Sequence, residues 1–98
     1  MSFMTIQPDM LAAAASDLSL IGLAISADNA AAGQSTAVVP AAADEVSALT
    51  AAQFAAHAGM YQAVSAQAAA VHSMLVSTLS ASAGSYAATE AANAITVR

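Results

Sequence analysis

The sequence has no cysteine and no tryptophan, two prolines, two phenylalanines, two tyrosines and a single basic residue, Arg98. Without cysteine there are neither disulfides nor thiolate metal sites. One base against six acids gives a net charge of −5, which leaves no basic patch to neutralise phosphates and excludes nucleic acid as a partner. Residues 1–10 hold no basic segment and no apolar run of signal-peptide length, so no signal peptide is expected. The most lipid-like run, Met10 to Ala27, is interrupted by Ser16, Asp17, Ser19 and Ser26, and reads as a poor membrane span. A glycine-rich phosphate loop and a Gly-x-Ser-x-Gly elbow are both missing, and neither histidine has an acid at helical spacing to orient it. His57 and His72 are four helical turns apart and cannot share a metal within the chain. No catalysis, cofactor, metal or small-molecule substrate is therefore expected.

Alanine is what the chain has in excess, with 31 among its 98 residues. The hydrophobic fraction of 59% thus overstates the core, because a buried alanine removes only one methyl from water, at about 25 cal/mol per Å². Ordering each residue's backbone costs about 1–2 kcal/mol. A second chain to pack on is expected.

The pattern predicts an all-α chain: an antiparallel two-helix hairpin. Residues 1–7 read as an arm, with Phe3 and Ile6 folding back onto the helices. Pro8-Asp9 opens a first helix over 8–32, proline at a first turn and an acid at the positive end of the dipole. On its wheel Met10, Leu11, Leu18, Ile21 and Ile25 share one face, with Leu20 and Leu23 well away from it. One apolar side can face the second helix; the other has nothing in the chain to cover it. Residues 33–40 form the connection, extended before Pro40. A second helix is expected over 41–84, with Asp44 and Glu45 near its positive end and Gly84 as its stop. Val46, Leu49, Phe54, Met60, Tyr61, Val64, Ala68, Val71, Leu75 and Leu79 fall on one broad face; Gln62, Ser73, Ser77 and Ser80 fall opposite. His57, between Phe54 and Tyr61, reads as a core or interface histidine. Residues 85–98 form a tail, frayed when the chain is alone.

Within that tail Tyr86 and Glu90 stand four apart, on one side of any helix there. As a bare pattern this is a solvated C-terminal turn. Its setting, directly after a two-helix hairpin without a signal peptide, gives it a second meaning.

The chain resembles the PE family of mycobacteria over essentially its whole length. The resemblance rests on Met1-Ser2-Phe3, Pro8-Asp9 followed by Met10-Leu11-Ala12-Ala13-Ala14-Ala15, Asn29-Ala30-Ala31-Ala32, Val38-Val39-Pro40-Ala41-Ala42-Ala43-Asp44-Glu45-Val46-Ser47, Gln53-Phe54-Ala55-Ala56-His57 and Ser85-Tyr86-Ala87-Ala88-Thr89-Glu90-Ala91-Ala92-Asn93. The pair that names the family is Pro-Glu; here it is Pro8-Asp9, which keeps the charge at the helix start.

The resemblance implies a hairpin that pairs with a PPE-family protein in a four-helix bundle. It also implies assembly in the cytoplasm, export through type VII secretion to the cell envelope or beyond, and a Tyr-x-x-x-Asp/Glu export signal that maps onto Tyr86 and Glu90. The family's chaperone would act through the PPE partner and the secretion ATPase through the C-terminal tail. Some family members carry long extensions after this domain; since the chain ends at Arg98, no extension's activity is expected. The positions assigned to the partner are Leu11, Leu18, Leu20, Ile21, Leu23, Ile25, Phe54, His57, Tyr61, Val64, Val71 and Leu75, with the division between intrachain and partner contacts left open. The rival reading is a self-associating structural or membrane-surface helical protein. Against lipid stands the polar face, which has no lysine or arginine before Arg98.

Overall fold

The structure is a computed structural model that describes residues 7–97. It consists of helix α1 at Pro8–Ala32, one short 3-10 segment at Gly33–Ala37, and helix α2 at Glu45–Thr96, with no strand among the described residues. It is a helical hairpin. The expected N-terminal arm, with Phe3 and Ile6, lies outside the described residues apart from Gln7.

The start of α1 follows from the chemistry of its first turn. The Gln7 carbonyl accepts hydrogen bonds from the backbone amides of Met10 at 3.0 Å and Leu11 at 3.2 Å. Pro8 occupies a first-turn position where a missing N–H costs nothing, and Asp9 lies in the same turn. At the other end the 3-10 turn is closed by the Thr36 hydroxyl, which donates to the Gly33 carbonyl at 2.7 Å. Val38 is extended, with φ −68° and ψ 128°, and residues 38–44 complete the connection.

Both ends of α2 differ from the sequence expectation of 41–84. The helix starts at Glu45 because Asp44 caps it: Oδ2 of Asp44 accepts the Ser47 amide at 3.1 Å, and Oδ1 accepts the Ser47 hydroxyl at 2.7 Å. That bond satisfies one of the amides a helix start leaves free. Asp44 is thus the capping residue rather than a member of the first turn, and Pro40 stands outside the helix. At the far end α2 runs through Gly84 to Thr96, 52 residues in all. A glycine stops a helix by turning left-handed, and no described glycine has a positive φ. The alanines around Tyr86 and Glu90 favour continuation, against a cost of about 1 kcal/mol for one helical glycine. The tail expected over 85–98 is therefore helix up to Thr96.

The chain forms two compact units. One joins α1 up to Gly22 with α2 from His72 onward; the other runs Leu23–Val71. In the first unit the residues with reduced exposure are Pro8, Leu11, Ala15, Leu18 and Gly22 on α1, and His72, Val76, Leu79, Ser82 and Ala83 on α2. In the second they include Asn29 and Ala32 on α1, and Ser47, Ala51, Ala55, Ala58, Gln62 and Ser65 on α2. Within each unit most of these positions lie three or four apart along their helix, as in a helical seam. The only buried hydrophobic residues among those described are Ala15, Ala51 and Ala83. A buried methyl contributes about 0.8 kcal/mol, small beside the entropy of ordering the helices.

Polar groups hold the seam where large apolar ones do not. In the first unit the His72 ring bonds through Nε2 to the Leu18 carbonyl at 2.6 Å. A carbonyl only accepts, so Nε2 carries the proton. In the second unit the Tyr61 hydroxyl donates to Oδ1 of Asn29 at 2.6 Å, and the Gln62 amide donates to the Asn29 carbonyl at 2.9 Å. Gln62, expected on the outer polar face with the serines, is therefore a seam residue.

Candidate functional site: the uncovered flank of α2

Among the described residues most large apolar side chains stand outside the seam, Leu11, Leu18, Val76 and Leu79 being half-buried within it. In the second unit Phe54, His57, Tyr61, Val64, Ala68 and Val71 follow one another at spacings of three and four, one position ahead of the seam residues Ala55, Ala58, Gln62 and Ser65. About 100° of helical rotation separates the two rows. All six are exposed, Phe54 at 62% and Val64 at 63% of full accessibility. Leu75, in the other unit, is exposed too.

One position past the seam, the other flank of α2 in the same unit reads Ala52, Ala56, Gly59, Ala63, Ala66 and Ala70. Every one is exposed, and none is larger than a methyl group. The two flanks therefore differ in bulk, and only one offers side chains able to interdigitate with another helix.

On α1, Leu11 and Leu18 are half-buried within the hairpin, while Leu20, Ile21, Leu23 and Ile25 are exposed. Of the positions assigned to a partner, these two leucines are thus occupied inside the chain. Tyr61 is divided: its hydroxyl is held by Asn29 and its ring is half exposed. Sequence reasoning missed Asn29, Gln62, His72 and the use made of Gly22. The signal was there for two of them, since polar residues at seam spacing in an alanine-rich helix mark hydrogen bonds between helices rather than solvent.

Tyr86 and Glu90 project from the same continuous α2. Ala83, Tyr86 and Glu90 keep the spacing of the α2 seam, so the pair lies on the side where Leu79 and Ala83 meet α1. Tyr86 is exposed at 41% and Glu90 is exposed. Among the described residues no group of three or more His, Asp or Glu side chains could hold a metal ion, and no buried side-chain polar atom lacks a partner. The hydrogen bond from the Ser47 hydroxyl, then that from the Ser47 amide, holds the Asp44 carboxyl below its ordinary value of 3.8. By length and composition alone the stretch Pro8–Ala37 is long and apolar enough to cross a membrane, with a mean hydropathy of 1.7 in its most apolar window.

The molecule is an alanine-rich helical hairpin that leaves most of the bulky side chains of its described residues exposed. The sequence profile of the PE family matches residues 4–93, and the chain belongs to that family. It is 65% identical over 95 residues to PE family protein PE13 of Mycobacterium tuberculosis, covering 96% of each chain. It is also 54% identical over 98 residues to PE-PGRS family protein PE_PGRS8 and 58% identical over 99 residues to PE-PGRS family protein PE_PGRS11 of the same organism. The match spans only 56% of the former and 17% of the latter.

Proposed function

We propose that this chain is a non-enzymatic partner subunit that pairs with a PPE-family protein in a four-helix bundle and is exported with it by type VII secretion. The observation that carries the reading is the uncovered row from Phe54 to Val71. A hairpin whose buried hydrophobic residues, among those described, are three alanines, and which exposes Phe54, Tyr61, Val64 and Val71, gains stability when a second helical surface covers that row. Pairing takes place in the cytoplasm, and the pair then reaches the cell envelope or the medium. Tyr86 and Glu90, one helical turn apart, form a two-point mark for the secretion ATPase, while the chaperone acts through the PPE partner.

Co-expression with candidate PPE-family proteins tests the pairing. A soluble one-to-one complex is the expected result, with the chain insoluble or oligomeric when expressed alone. A clean monomer with a sharp, cooperative thermal transition would sink the reading.

The apolar character of Pro8–Ala37 favours a second reading, a self-associating or membrane-surface protein. The described residues hold no lysine or arginine to draw the helix to anionic lipid. Flotation of the chain with phosphatidylglycerol vesicles, in the absence of any PPE protein, would favour that alternative.

A further inference from the structure

The closed end of the hairpin holds a hollow that the pairing does not by itself explain. It has a volume of about 260 Å³, with walls from Val38 and Val39 of the connection and from Val46, Ser47, Thr50 and Phe54 of α2. We propose that it seats one anchor side chain of the partner, an aromatic or branched apolar residue with a lysine or arginine beside it. This rests on the pairing reading and gives it a place and a chemistry.

Size and lining both point to a side chain rather than a free ligand. Sites for small molecules run to about 300–1,000 Å³ and carry a few polar groups to orient what they bind. This hollow is smaller, and its two hydroxyls are already spent: Ser47 donates to Asp44 at 2.7 Å and Thr50 to the Val46 carbonyl at 2.8 Å. No side-chain proton in the wall is left to orient a polar molecule. An apolar group removes water from Val39 and Phe54, which are 82% and 62% exposed. Interfaces draw most of their energy from such anchors in pockets.

Charge selects the occupant. Asp44 and Glu45 precede Val46 and Ser47 of the wall directly, and both are exposed. A second copy of this chain brings another net charge of −5 and no base within its described residues, and an anionic lipid headgroup brings like charge as well. A base next to the anchor meets the two acids instead. Phe54 is at once a wall of the hollow and the first member of the exposed row, so a helix lying along that row arrives at the hollow with its end.

The test uses the co-expressed pair. A photoreactive benzoylphenylalanine at position 39, in the connection and outside both helices, is expected to cross-link to a partner segment that holds an apolar residue beside a lysine or arginine. Val39→Asp should lower the yield of the complex about tenfold with helix content unchanged by circular dichroism. Glu45→Lys should weaken it at low salt and lose that effect at high salt. If position 39 gives no cross-link while the same probe at position 64 does, the anchor is refuted and the pairing stands. If neither position cross-links to the partner, the pairing reading fails and the anchor with it. A cross-link from position 39 to a second copy of the chain overturns the proposal directly.

Discussion

The His72 ring occupies the space that a side chain at position 22 would need. A Cβ built on Gly22 would come within 2.8 Å of both Cδ2 and Nε2 of the imidazole, while Nε2 reaches past it to the Leu18 carbonyl. The glycine is a notch in α1, and the histidine fills it.

Gly22→Ala is therefore expected to destabilise the protein. Helix propensity favours alanine by about 1 kcal/mol, but overpacking costs about 1–3 kcal/mol, and the ring must leave its carbonyl. The thermal midpoint of the purified pair should fall for Gly22→Ala and recover when His72→Ala is added. A midpoint that rises in the single variant would show that the notch is not needed.

Acid should weaken the start of α2. The Asp44 carboxyl is held below its ordinary value of 3.8 by its bonds from Ser47. The folded state thus prefers the ionised form, and this contribution is present above that ordinary value and lost as pH falls through the depressed folded value. Wild type should lose stability relative to Asp44→Ala as pH drops below about 4, with the two converging at the acid end. A constant difference between them from pH 7 to pH 2 would show that the carboxylate is not the source of the cap.

The two flanks of α2 should respond oppositely. Phe54→Asp places a charge where the partner would cover it, at a cost of several kcal/mol, and co-purification of the partner should be lost. Gly59→Ala lies on the methyl-only flank, with nothing within 4 Å of an added Cβ; it should leave pairing intact and raise stability by up to about 1 kcal/mol. Co-purification of Phe54→Asp at wild-type yield would move the interface elsewhere.

Export should separate from assembly at the C-terminal end of α2. Tyr86→Ala and Glu90→Ala are expected to leave a soluble pair in the cytosol while its level in the culture filtrate falls sharply, in a strain with the cognate type VII machinery. Normal secretion of both variants would reduce the pattern to an exposed helical turn. Loss of the pair itself would make these residues structural, a sharper question now that Tyr86 is seen to continue the spacing of the seam.

Much of the hairpin was legible because its punctuation is chemical. Pro8-Asp9 marks the start of α1, and the expected range of 8–32 matches the observed Pro8–Ala32. The ends of α2 were less so. Asp44 reads equally as a first-turn acid or a cap, and only the Ser47 bonds decide. Gly84 stops a helix in one conformation and merely weakens it in another. The division of faces was harder still, since size does not say which row turns inward when alanine is the seam. Leu79 and Phe54 were placed on one face; the structure half-buries the first and exposes the second.

Because α2 runs unbroken past Gly84, rotation becomes a variable separate from distance. Each residue inserted after Gly84 advances Tyr86 and Glu90 by only 1.5 Å but turns them by about 100°. A flexible tail would absorb such an insertion without consequence. Here one added alanine swings the pair away from the side that Ala83 faces, and a run of seven brings it nearly back into phase. A receptor that reads the two residues alone is indifferent to that angle, whereas one that also rests on the hairpin should respond to insertions with the period of the helix.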